Sequence, residues 1–431
     1  MTRQVFPLTS LILAAMLLTA CASDPFVMPE PERGPDYSYS DLRGKDLRGA
    51  SLQKSDFDLA DLRGALLAGA DLTNTNFYAA SLVGTDLTGA NLTGANLRDA
   101  DLTDANLTDA DLTGTNLTGT NLTAAILDGA TLHEATITGA SFRDADLRTV
   151  KLRLDDVNLS GVDFRGTILR GADLRGAKLS GADLKGADLS GSNLSGALLG
   201  GSTLTEANLT GADLTRADLR GANLRHAIFA DAVLFESNLS ATDLTATNLT
   251  GVSFASTILQ FAILENRDLR DLDLRGADLK GSLFTNSDLS RADLRGTDLS
   301  EARFTGAVLD RARLDQAVLT NTNFHTASLR FVDLSDRSIR LGTLSYANLD
   351  GADLSDADLS GQDIVQASLR GADLSDSDLS GASLFKADLT GANLIRSNLT
   401  GANLSETIID DADLTDVITT DAIHDGSWPA G

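Results

Sequence analysis

One side chain in this 431-residue sequence stands where its type and position could do chemistry: Cys21, the only cysteine. A thiol can be a nucleophile, a metal ligand or a point of acylation. With no second cysteine the chain forms no intrachain disulfide and builds no cysteine-based zinc or iron–sulfur site. The histidines, His133, His226, His325 and His424, are spread along the whole chain and offer no local ligand set. A serine nucleophile elbow, a P-loop and a dinucleotide-binding glycine pattern are all missing. Carboxylates abound, 61 Asp and Glu against 35 Lys and Arg, but they recur at a fixed spacing that reads as structural. The expectation is a chain that is not an enzyme, with no cofactor and no metal.

The segment that carries Cys21 explains its place. Arg3 supplies positive charge, and an apolar run of 13 residues follows from Leu8 to Ala20. That is too short to cross a bilayer of ~30 Å as a helix, but it has the anatomy of a secretory signal peptide. Its end, Leu18-Thr19-Ala20-Cys21, resembles the bacterial lipobox. The resemblance implies cleavage before Cys21, acylation of its thiol and a lipid anchor in the cell envelope. Ala22, where Asp would signal otherwise, implies the outer membrane. Residues 1–20 are thus assigned as a lipoprotein signal peptide and 21–36 as a Pro-rich linker. Four of the six prolines lie in that linker, Pro25, Pro29, Pro31 and Pro35. An extended spacer of this kind reaches ~3.1 Å per residue, roughly 45 Å in all.

Beyond the linker one five-residue pattern takes over. The stretch from Gly171 to Gly191 reads GADLRGAKLSGADLKGADLSG. Centres, mostly Leu, run every five residues from Leu42 to Leu152 and again from Leu154 to Leu414, making 23 and 53 repeats. The position two before each centre is nearly always Ala, Ser, Thr or Val. On extended backbone, residues two apart face the same way, so both point inward. Five is odd, so an unbroken strand would swap faces at every repeat. The chain must turn once per repeat, and the Gly-rich last position suits a turn. No proline lies between Pro35 and Pro429. That fits an uninterrupted hydrogen-bonded ladder, which proline cannot join.

These residues resemble the pentapeptide-repeat family over about nine-tenths of the chain. The resemblance implies an all-β fold, a right-handed parallel quadrilateral β-helix with one repeat per side. Its 76 repeats then make about 19 coils and a rod on the order of 90 Å at the spacing of neighbouring strands. The rod is expected in two segments, 37–153 and 154–416, joined where Leu152 and Leu154 break the phase, with residues 417–431 around Trp428 as the C-terminal cap. The implied function is a non-catalytic, lipid-anchored scaffold, spacer or interaction surface. Its partners are the membrane, an unidentified protein or glycan, or a second copy of the chain. Direct nucleic-acid binding is not expected. The alternative is an acidic DNA mimic that inhibits a topoisomerase such as DNA gyrase, as some cytoplasmic family members do; the export signal argues against it.

Charge and irregularity mark two places. Residues 342–431 hold 16 acids and 3 bases, half of the net charge of -26. With four repeats per coil, residues twenty apart stack. One column is then Asp333, Asp353, Asp373, Asn393 and Asp413, and beside it run Asp336, Asp356, Asp376, Arg396 and Asp416. The expectation is an acidic stripe that takes a divalent cation weakly or a basic partner patch. Elsewhere the small inward position is violated by Arg267, Leu272, Arg337, Gly342 and Gln362. Burying an unpaired guanidinium is costly, so Arg267 and Arg337 are expected to turn outward on local bulges.

The inward assignment is directly testable. Leu184→Asp or Leu279→Asp should break the rod locally, since even Leu→Ala at a buried site costs about 2–5 kcal/mol. Asp183→Asn and Asp278→Asn should leave the melting curve nearly unchanged. Equal losses from both kinds of change would overturn the assignment.

Overall fold

A computed structural model describes residues 33–148, 150, 158–335, 343–426 and 428. Cys21, the signal segment, nearly all of the linker and Arg337 lie outside them. The described chain is a single stacked coil. Parallel bridges join residues twenty apart, from Asp36↔Asp56 through Asp183↔Thr203 to Asn403↔Ile423. A five-residue side and a twenty-residue register make four sides. The ladder takes in Asp36 at one end and Ile418 and Ile423 at the other, so it runs past both boundaries drawn from the repeat.

The repeat around Leu184 shows why this pentapeptide folds this way. Its five backbone N–H groups each find an acceptor. Ala182 donates to Leu179 O across the turn at 3.0 Å. Asp183 donates back to Val162 O of the preceding coil at 3.0 Å, and Leu184 and Gly186 donate forward to Thr203 O and Thr205 O at 2.7 and 2.9 Å. The fifth, Lys185 N–H, is caught by the Asp183 carboxylate at 3.1 Å. Asp or Asn in this position therefore does more than solvate the surface. It accepts from the amide two residues on, as Asx turns do, and completes the local accounting that buried backbone demands. Asn serves as well: Asn193 Oδ1 accepts from Ser195 N–H at 3.0 Å.

The last position of each repeat adopts the left-handed conformation, for example Gly186 at φ 66° and Asp356 at φ 56°. One such residue followed by a bond closing across the turn is the sign pattern of a type II turn. Glycine takes it without strain. Bulky residues also stand there, among them Phe261 at φ 57° and Phe331 at φ 60°. These side chains lean over the glycine twenty residues on: a Cβ at Gly281 would fall 2.5 Å from the Phe261 ring, and one at Gly351 would fall 2.7 Å from the Phe331 ring.

Inside, the centres and the small positions form one continuous core. Where aromatic centres follow one another at the twenty-residue register they stack along the axis, as in Tyr37–Phe57–Phe77 and Phe284–Phe304–Phe324, with ring centroids 4.8 to 5.2 Å apart. Inward Ser and Thr hydroxyls donate to core carbonyls, for example Thr85 Oγ1 to Leu62 O at 3.2 Å and Ser192 Oγ to Leu189 O at 2.7 Å. At the far end Trp428 is buried against this core, and its indole N–H donates to Thr407 Oγ1 at 2.7 Å.

Both irregularities keep the stack in step. Across the Leu152–Leu154 phase change the bridges become Ser141↔Asp163 and Asp146↔Ile168, so one coil absorbs the two extra residues. Phe142 still stacks on Phe164 at 5.4 Å. Across 336–342 the register stays at twenty, with Asn323↔Thr343, Ser328↔Asn348 and Asp333↔Asp353.

Two glycines give a matched test. Gly186→Ala and Gly281→Ala both place a side chain at positive φ, at a cost of about 1–2 kcal/mol. Open space surrounds a Cβ at Gly186, whereas the Phe261 ring occupies that space at Gly281. Gly281→Ala should lower the melting temperature further, and equal shifts would remove Phe261 from that seat.

Candidate functional site

The acidic face of the C-terminal coils is assembled as its spacing requires. Asp333, Asp353, Asp373, Asn393 and Asp413 follow one another through direct bridges on one side of the coil. Their side-chain oxygens are already engaged. Ser355 donates N–H and Oγ–H to Asp353 at 3.1 and 2.7 Å, and Thr415 does the same to Asp413 at 3.0 and 2.6 Å. Asp373 accepts from Ser375 and also from Asn393 Nδ2 at 2.9 Å. In the neighbouring column Asp356, Asp376, Arg396 and Asp416 share the turn position, and Asp336 lies outside the described residues. Arg396 donates to both oxygens of Asp376, and this hydrogen bonding holds the Asp376 carboxyl below the usual carboxylate range. The fields of Asp416 and Asp356 also act on Arg396. The residue that interrupts the stripe in sequence is thus its internal counter-ion. Among the described residues no group of three or more His, Cys, Asp or Glu is arranged to hold a metal ion.

Arg267 corrects the sequence reading. It does not turn outward. Its guanidinium enters between two coils and donates to the carbonyls of Thr245 and Thr247 at 3.0 and 2.7 Å. Its own N–H is taken by Ser287 Oγ at 3.1 Å, and burial lowers its pKa. In the regular pattern Thr247 O would accept from Asp268 N–H, as Val162 O does from Asp183. Arg267 occupies that acceptor, and the ladder opens. No bridge joins Asn248 to Asp268 or Ser253 to Asp273. The inter-coil bonds that the pattern assigns to the N–H groups of Leu249, Gly251, Asp268 and Asp273 are not formed.

The result is an open cleft of about 1010 Å³ lined by 247–253, 267–273 and Arg291. Its rim is a set of ion pairs. Arg270 bridges both oxygens of Asp268 at 2.8 and 2.6 Å, Arg291 those of Asp271 at 2.7 and 2.6 Å, and Arg275 those of Asp273 at 2.8 and 2.9 Å. Hydrogen bonds from Arg270 hold the Asp268 carboxyl at about 2, and those from Arg275 do the same for Asp273. Arg267 has no ion-pair partner of its own, and its Nε is buried without a hydrogen bond. The sequence signal for this cleft was the inward Arg267 itself; the missing bonds were not legible. Of the other violations, Gln362 and Leu272 keep their turn bonds to Leu359 O and Leu269 O, and Arg337 and Gly342 lie outside the described residues.

Replacing Arg267 by the small residue the pattern prefers should let the coils close. Arg267→Ala is expected to raise thermal stability by about 2 kcal/mol, a few net hydrogen bonds at ~1 kcal/mol each less those of the guanidinium. Calorimetry checks it, and a drop in melting temperature would show the guanidinium to be a brace rather than a wedge.

Comparison with solved structures returns pentapeptide-repeat proteins. HetL, a pentapeptide repeat protein involved in heterocyst differentiation regulation from the cyanobacterium Nostoc sp. strain PCC 7120, is 34% identical over 53% of this chain and 91% of its own, with a TM-score of 0.20. A pentapeptide repeat protein from the Arabidopsis thaliana thylakoid lumen is 33% identical over 28% of this chain and 72% of its own, with a TM-score of 0.13. A trypsin-treated variant of QnrB1, a plasmid-mediated fluoroquinolone resistance protein, is 18% identical over 52% and 90%, with a TM-score of 0.24. Comparison with curated proteins returns no match. The family profile "Pentapeptide repeats (8 copies)" matches in overlapping or adjoining segments from residue 38 to 336 and from 343 to 418. With the twenty-residue ladder and the profile in agreement along almost its whole length, the chain belongs to the pentapeptide-repeat family.

Proposed function

We propose that this chain is a non-catalytic repeat rod, right-handed and of about 19 coils at one strand spacing per coil, held to a bacterial envelope membrane through a lipid on Cys21. It acts as a scaffold, spacer or interaction surface on that membrane, with the outer membrane as its site. The observation that carries this reading is the ladder from Asp36 to Ile423. It spends the interior on one repeated Leu contact and leaves polar rows at fixed spacing outside, an arrangement suited to holding distance and presenting a surface. The sequence before the ladder supports the anchor: an apolar run, a lipobox-like Leu18-Thr19-Ala20-Cys21 and a Pro-rich spacer. Among the described residues no helix is long and apolar enough to cross a membrane. The acidic columns of the distal rod are the face we assign to a basic partner patch.

Mass spectrometry of the protein purified from membranes should find acylated Cys21 as the first residue. Cys21→Ser should move the rod from the membrane to the soluble fraction. An intact Met1 terminus, or a free Cys21 thiol on a cytoplasmic pool, would overturn the reading. Inhibition of DNA gyrase supercoiling by that cytoplasmic pool would establish the DNA-mimic alternative in its place.

A further inference from the structure

Three large apolar side chains gather at one corner of the first coils and face solvent. Tyr39, Leu59 and Tyr78 are 73%, 46% and 40% exposed. They lie on successive coils: Tyr39 N–H donates to Asp58 O at 2.9 Å, and Leu59 N–H donates to Tyr78 O at 3.0 Å. Tyr39 and Leu59 stand at the last position of their repeats, at φ 58° and 54°, where Gly44, Gly49, Gly64 and Gly69 serve without strain. A bulky residue held there is an outlier that points to a use for the side chain.

The end of the rod beside this corner is open. Tyr37, Leu42 and Leu47 are only partly buried, whereas Leu62, Leu67 and Leu72 of the following coils are closed off from solvent. Lys45 takes the inward position before Leu47 and still stays exposed. Residues 33–63 hold six bases and six acids, an even balance in a chain of net charge -26. Arg43, Arg48 and Arg63 are taken by Asp41, Asp46 and Asp61, and among the described residues Lys45 and Lys54 are in no ion pair. At the other end, residues 342–431 hold 16 acids and 3 bases.

Position, shape and charge select one partner. Cys21 stands twelve residues before Arg33. A lipid on it keeps this end within roughly 43 Å of the bilayer even with the intervening chain fully extended. The apolar groups form a corner beside an end rather than a pocket, so they suit a yielding surface better than the well-packed anchor sites of a folded partner. Tyrosine beside lysine is the pairing that a headgroup layer takes. The ring sits at the acyl boundary with its hydroxyl in water, and the ammonium meets anionic phosphate. From Tyr39 to Tyr78 the corner covers two coil spacings, ~10 Å, which is the depth of that layer.

We propose that the N-terminal end of the rod is itself a membrane contact, a footing of Tyr39, Leu59, Tyr78, Lys45 and Lys54 that settles into the headgroup layer of an anionic bilayer. This rests on the lipid anchor of the reading above, which makes a weak contact local. The acidic C-terminal coils are repelled by the same surface, so the rod stands up from it instead of lying along it.

The test uses the protein purified from membranes, with vesicles of phosphatidylcholine alone or mixed with phosphatidylglycerol. Flotation reports the anchor. Iodination of tyrosines, read by mass spectrometry, reports the footing, with the exposed Tyr346 as internal reference. Without vesicles Tyr39, Tyr78 and Tyr346 should all react. On mixed vesicles Tyr39 and Tyr78 should lose most of their reactivity and Tyr346 none. Lys45→Gln and Lys54→Gln should each weaken the contact roughly fivefold, the change that about 1 kcal/mol per charge near an anionic surface makes. Tyr39 and Tyr78 already unreactive without vesicles, full reactivity on mixed vesicles, equal loss at Tyr346, or no change in the two lysine variants would each overturn the footing. Failure to float with phosphatidylcholine vesicles would overturn the anchor alone; the footing would then still have to protect Tyr39 and Tyr78 at excess phosphatidylglycerol, and its failure there would remove it as well.

Discussion

Everything in this rod rests on the need of each backbone amide for an acceptor within a five-residue side. Five residues leave no room for a strand of useful length, so a side cannot satisfy itself. The solution divides the work. One amide closes the turn, three reach the coils before and after, and the last is met by the Asp or Asn side chain two residues back, as at Ala182 to Gly186. The turn must then use the left-handed region at its last position, which is why Gly recurs there and why Asp is its commonest replacement. Leu at the centre follows from the same scheme, because once the backbone is settled the interior needs only one shape repeated at one spacing.

The scheme also defines what counts as a disturbance. Two extra residues after Leu147 do not disturb it, since the coil lengthens and the bridges to Asp163 and Ile168 form as before. Bulky turn residues do not, because the glycine of the next coil makes room. A donor placed inside does. Arg267 competes for carbonyls that the neighbouring amides need, and a guanidinium is the stronger donor. The cleft lies beside the carbonyls it takes, and its charged rim comes from Asp and Arg two residues apart, with Arg291 reaching Asp271 from the next coil.

Much of this was legible in the sequence, for a physical reason. A period of five with one apolar centre admits few folds, so the inward Leu184 and the stacked Asp333, Asp353, Asp373 and Asp413 followed from counting. The bond from Asp183 to the amide two residues on was not legible, because such a side-chain bond leaves no trace in hydrophobic periodicity. Arg396 was seen as a gap in the acidic column rather than as the partner of Asp376, since sequence gives the stacking but not the reach of the side chain. The direction of Arg267 was misjudged for a further reason. An unpaired buried charge is costly, but the ladder itself supplies carbonyl oxygens, at Thr245 and Thr247, to a group able to displace their amides.

The ladder bonds lie along the axis of the coil, and this gives the molecule a mechanical character. Load applied end to end is shared at each interface by the bonds of all four sides at once, so a regular interface yields only when many bonds fail together. A pull on one end of the chain meets them singly and strips the coil like thread from a spool. The interface beside Arg267 lacks the set that would join Leu249, Gly251, Asp268 and Asp273 across it. The coil interface before it lacks others, at the amides of Leu224, His226, Leu234, Glu236, Asp243 and Ser253. The stretch from Leu224 to Asp273 is therefore more compliant than the regular coils that flank it, a place where bending strain collects and where the ends lose alignment with each other.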